Sequence, residues 1–332
     1  MNCKPSYQLT KHPVGSLSEV WSVSWPLMLG LCSGSLMMFA DRLYLAHYSV
    51  SAMNAMAVGG LLSFLIFIIP FSLCQITEVF VGRFHGEERH DQAGKPIWQA
   101  FWLSLLLWPV MSLFSRVFSW ALFDPGALEP VYFVTLVDFS PFFLGSISLM
   151  GFFIGIGKTK MITYATILAN LLNIILAPLF IFGTSYLPAM GVKGAAIAAG
   201  LSQAFQATFL LIFFLAPRFR KAFHTYKWAW DFGLVKEMLT LALPTGFGRM
   251  IEVVAHAVFF RIMAKAGPDE LTCSIMIQSF LLLNVFGSPV VVVNDDSSAS
   301  ELIPKKFQRR NFRSRAVHVE GKIRDVGGRH LF

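Results

Sequence analysis

The chain has 332 residues, 55% hydrophobic and only 14% charged, with a mean hydropathy of +0.60 and a formal net charge of +8. Thirty-three phenylalanines against nineteen acidic residues cannot be hidden in one aqueous core of this size, because a folded surface needs polar side chains to cover it. An ordinary soluble enzyme is excluded, and no nucleic-acid partner is indicated: half of the positive excess comes from 290–332, where nine Lys and Arg face five acids.

About 20 apolar residues cross a hydrocarbon core of roughly 30 Å. In chain order such runs predict spans at 20–46, 53–79, 97–123, 130–156, 161–183, 191–216, 238–264 and 271–293. Lys4 and Lys11 ahead of the first run imitate a signal peptide, but its length and the runs behind it mark a retained membrane helix. Segments such as LSFLIFIIPF are apolar without the period-two alternation of a β-barrel strand, so the spans are helices. Loops on one side carry twelve Lys and Arg, at the N-terminus, 82–97, 158–160 and 217–237, against Arg42, Lys193 and Lys265 on the other. The bias predicts a cytoplasmic N-terminus and tail.

The first and seventh spans begin alike, with Trp25-Pro26 and Leu243-Pro244. Six crossings return the chain to the same face, which allows a parallel repeat, although proline and small residues recur in unrelated membrane helices. The predicted fold is an all-α membrane protein of about eight transmembrane helices. A complete six-helix lobe occupies 1–216, a cytoplasmic linker 217–237, and the start of a second lobe 238–293. The tail, 294–332, is polar and basic and is expected to be disordered.

Charge at membrane depth is costly and therefore points to a partner, a cavity or a function. Asp41, Glu78, Arg116, Asp138, Arg249, Glu252 and Arg261 lie in or near spans. Asp41 is either a working acid or an interfacial one paired with Arg42. Glu252 lies too deep for a short side chain to reach water. It is either a site for a proton or Na⁺, or a salt bridge to Arg249. Asp138 and Asn170 are secondary candidates; Asn170 and Asn173 share a helix face at i, i+3, where amides bridge helices. Pro26, Pro70, Pro109, Pro141, Pro178 and Pro244 are expected to interrupt spans and free carbonyls.

Gly155-Ile156-Gly157-Lys158-Thr159 imitates a phosphate-binding loop, but Phe152 stands where the motif needs glycine. Cys3, Cys32, Cys74 and Cys273 are too scattered for a zinc site or a disulfide framework. No cofactor or metal is indicated, so transport would draw on an ion gradient.

Several segments resemble the multidrug and toxic compound extrusion (MATE) transporters: FADRLYLAHYSVSAMNAMAVGG, VGRFHGEERHDQAG, FFIGIGKTK, NLLNIILAPLFIFG followed by MGVKGAAIAAGLSQ, and LALPTGFGRMIEVVAHAVFFRIMAKAG. The resemblance runs from about 20 to 285. It implies an antiporter of two six-helix lobes in the bilayer of a bacterial inner membrane, exporting small organic cations or drugs against Na⁺ or H⁺. Carried over by position, Asp41 matches the first-helix acid of cation coupling, Asn173 a fifth-helix asparagine and Glu252 a seventh-helix acid. Ala177 departs from members with an acid there. After about Gly287 the pattern stops, which suggests a truncated or frame-shifted product. A lipid-linked sugar flippase of the same superfamily, or a non-transporting remnant or assembly partner, are the alternatives.

Overall fold

The computed structural model describes residues 17–124, 126–184, 188–226 and 228–285. In order they form α1 (Leu17–Tyr48), α2 (Val50–Gln75), α3 (Thr77–Gly86), α4 (Lys95–Leu122), α5 (Glu129–Asp138), α6 (Ser140–Gly155), α7 (Thr159–Phe182), α8 (Val192–Phe214), α9 (Pro217–Phe223), α10 (Phe232–Ala266) and α11 (Pro268–Val285). The protein is an all-α, multi-pass integral membrane protein. Each predicted span holds a helix, because in lipid a helix satisfies every backbone group within its own segment. By length and apolarity, four stretches of the described residues can cross a membrane (50–86, 90–121, 159–182 and 192–214), or five when α5 and α6 count as one span bent by 53°. That is fewer than the eight predicted. Residues 286–293 of the last span and the whole tail lie outside the described residues.

Two expectations need correction. The second span was expected to end at 79, yet α3 continues it to Gly86, with Ile76 at the joint still in helical conformation (φ −63°, ψ −14°) and Thr77 Oγ1 donating to the Cys74 carbonyl at 2.6 Å. Arg83 therefore stands on a helix and not in a loop. The prolines were expected to interrupt their spans, but Pro70, Pro109, Pro178 and Pro244 sit inside continuous helices, and α1 runs unbroken through Pro26. Only Pro141 marks a break. It has no N–H to return to the Val137 carbonyl, and at Phe139 the helix turns, its amide gathering Thr135, Leu136 and Val137 carbonyls instead. The phosphate-loop imitation is a tight connection from α6 to α7, with Gly157 at φ 71°.

α1 packs along α7, and α7 along α8; α6 lies against α3, α4 and α8, while α2 lies against α5 and α10. One apolar cluster, including Phe80, Phe133, Phe152, Phe153 and Phe214, joins α3, α5, α6 and α8. A second, with Leu45, Met53, Ala177, Ile181 and Val192, joins α1, α2, α7 and α8. Many large apolar residues outside these clusters are exposed, among them Leu106, Leu113, Trp120 and Ile251, as a lipid-facing surface requires.

The bend fixes one close approach. A Cβ at Gly200 of α8 would collide with the Phe139 ring, so the bent span and α8 meet only because that position lacks a side chain. Gly200→Val is expected to lower stability by about 1–3 kcal/mol through overpacking. Gly30→Ala, with nothing within 4 Å of the added carbon, should leave it unchanged or slightly raised. Thermal unfolding of both variants in detergent checks this; equal melting temperatures would contradict the packing account.

Candidate functional site

The closest pairing of α1 with α7 gathers the polar candidates. Asp41 of α1 is buried, at 5% exposure, and Asn173 is fully buried opposite it. With its amide nitrogen turned toward the acid, Asn173 donates to Asp41 Oδ1 at 2.9 Å, and its oxygen accepts from the Ala199 amide of α8 at 3.2 Å. The opposite amide orientation would set oxygen against oxygen. One turn earlier Asn170 Nδ2 donates to Ser33 Oγ of α1 at 2.8 Å. The i, i+3 spacing thus puts both amides on the face of α7 that meets α1. One turn beyond Asn173, Ala177 is buried in the apolar cluster, so among the described residues the carboxylate of this part of the site is that of Asp41.

Arg42 Nη1 donates to the Ile275 carbonyl of α11 at 3.1 Å, and Asn54 Nδ2 donates to Thr272 Oγ1 at 3.0 Å. These bonds tie α1 and α2 to α11. Tyr132 of α5, also buried, lies close enough to Asp41 and Arg42 to feel both charges. Sequence reasoning missed Tyr132 and Ser33, because no motif surrounds either; only helix packing brings them to the site.

The other candidates stand apart. Asp138 ends α5 at the bend, where Arg116 of α4 grips its two carboxylate oxygens at 3.1 and 2.9 Å and Ser112 Oγ donates at 2.6 Å. It clamps α4 to α5 and makes no described bond to Asp41. Glu252, on α10, is exposed and forms no ion pair among the described residues. The salt bridge to Arg249 is not formed: the guanidinium lies 5.6 Å above the Phe71 ring and within charge range of Glu78. No hydrogen bond or ion pair among the described residues joins Glu252 to Asp41.

Residues 26–179 match the MatE family model, a stretch that takes in Asp41, Asp138, Asn170 and Asn173 and stops short of Glu252. A probable multidrug resistance protein NorM of Agrobacterium fabrum is 24% identical over 240 residues, 70% of this chain and 51% of that protein. The fold is similar to that of a MATE crystallised in complex with Br-NRF, at a TM-score of 0.70 and 19% identity over 87% of this chain and 69% of that one. It is also similar to a MOP superfamily transporter from Pyrococcus furiosus Vc1, whose structure is described as having a binding pocket of reverse polarity suggesting a different function, at a TM-score of 0.68 and 19% identity over 80% of this chain and 60% of that one. The chain spans about half the length of the curated relatives it matches. Family match, relatives and fold agree in what the chain is similar to, the MATE transporters.

Proposed function

We propose that this chain works in ion-coupled export of small organic cations or drugs across a bacterial inner membrane, with its N-terminus in the cytoplasm. The observation that carries the reading is the buried Asp41 held by Asn173 between α1, α7 and α8. A carboxylate sealed from water has to be neutralised by a proton, by Na⁺ or by a cationic substrate. If the ion and the substrate compete for that one charge, the ion entering on one side displaces substrate toward the other, which is antiport. Glu252 supplies a second acid on a different helix, open to its surroundings. The lipid bilayer is the working partner.

A second reading is favoured by the share of the relatives that the chain covers: export needs helices beyond those of these 332 residues. The test places the 332-residue chain, and a form extended by the remaining helices of a curated relative, in liposomes with an imposed H⁺ or Na⁺ gradient and ethidium as probe. Gradient-driven ethidium movement by the extended form is expected. Movement by that form alone selects the second reading for the chain, and movement by neither rejects export.

A further inference from the structure

The segment after α8 has a composition and a shape that transport does not use. α9 is PRFRKAF, with Phe219 buried beneath it and Arg218, Arg220 and Lys221 exposed. Between α9 and the chain that follows lies a cavity of about 430 Å³ lined by Leu215, Pro217, Arg220, Lys221, His224 and Tyr226. Two of these six side chains are cationic and none is acidic. The Arg220 guanidinium rests 5.4 Å from the centre of the Tyr226 ring, which holds it over the cavity. His224 has a left-handed backbone (φ 49°), and its ring Nδ1 is buried with no hydrogen-bond partner among the described residues, an unmet polar group on the cavity wall.

The next residues run as a strap whose alternate positions do different work. Inward, Thr225 Oγ1 donates to the Phe214 carbonyl at 2.9 Å, the Thr225 carbonyl accepts from Trp98 Nε1 at 2.7 Å, and Gln99 bonds the Ala229 carbonyl at 2.8 Å and the Asp231 amide at 3.1 Å. Outward, Tyr226, Trp228, Trp230 and Phe232 are all exposed. A row of aromatic side chains beside basic ones is what a membrane–water interface selects, since the rings sit at headgroup level.

We infer that this cavity binds the phosphate of an anionic phospholipid headgroup, with Arg220 and Lys221 as the charge partners, His224 as a polar partner, and the lipid body lying against Leu215 and the aromatic row. Leu215 is exposed and continues the apolar side of α8 through Ile212, so a bound lipid has a path for its acyl chains. A dissolved phosphate would use the cations and leave that apolar path and the aromatic row unexplained. The inference does not depend on transport, and it rests on placing this end of the bundle at the membrane surface.

The full chain purified in detergent is mixed with phosphatidylglycerol or with phosphatidylcholine of the same acyl chains, and retained lipid is read by native mass spectrometry. Wild type is expected to prefer phosphatidylglycerol. R220Q/K221Q should weaken that preference about thirtyfold, and K221Q alone about fivefold, from the attraction expected of each basic side chain near anionic lipid. R218Q/K236Q removes as much charge from outside the cavity and should keep the preference. Equal retention of both lipids by wild type, an undiminished preference in R220Q/K221Q, or an equal loss in R218Q/K236Q would overturn the assignment. Displacement of the lipid by inorganic phosphate at matched concentration would show a site for free phosphate and overturn it as well.

Discussion

Asp41→Asn is expected to abolish gradient-driven ethidium export by the extended form while the protein still inserts and folds. Asparagine keeps the shape and can still accept from Asn173, whose amide otherwise donates to Asp41 Oδ1 at 2.9 Å, so stability should shift by no more than about 1 kcal/mol. What disappears is the charge, and with it any means of exchanging a proton or Na⁺ for a cationic substrate. The rate should fall at least about tenfold, the equivalent of about 1.4 kcal/mol in the limiting step. Asn173→Leu is the informative companion: it leaves the acid but strips its buried donor, a loss of about 1–3 kcal/mol in stability. Export by Asp41→Asn at the wild-type rate would remove Asp41 from the coupling mechanism.

Glu252→Gln should also abolish export, with less effect on the fold. The side chain is exposed and in no ion pair among the described residues, so the substitution falls among surface changes worth within about 0.5 kcal/mol. Arg249 provides the control. Its guanidinium is engaged with Phe71 and not with Glu252, so Arg249→Gln should not reproduce the Glu252→Gln defect, and combining the two should not repair it. Abundance in the membrane, melting temperature and ethidium efflux are the measurements. Wild-type efflux by Glu252→Gln, or recovery in the double variant, would assign the residue a structural role or none.

The helices were legible because apolar run length is a direct statement about lipid. Their interruptions were less so. Six prolines looked alike in the sequence, yet only Pro141 coincides with a break, and the helices run on through the others. Asn170 and Asn173 could be placed on one face from their spacing, but not which helix they would meet. The sequence-level alternatives for Glu252 included the Arg249 salt bridge because i, i+3 spacing permits it. It fails to form because Arg249 points at the aromatic face and the acid that α2 and α3 present. Tyr132 carried no local signal: its place near Asp41 depends on how α5 lies against α2, where a Cβ on Gly59 would come within 3.2 Å of the tyrosine.

The bond from Arg42 to Ile275 is made to a main-chain oxygen, 233 positions away along the chain. Any amino acid at 275 presents the same oxygen so long as α11 keeps its path. Position 275 can therefore drift among apolar residues without a compensating change at 42, and covariation between the two columns of a family would register nothing. A fastening of this kind specifies where a helix runs and leaves its lettering free.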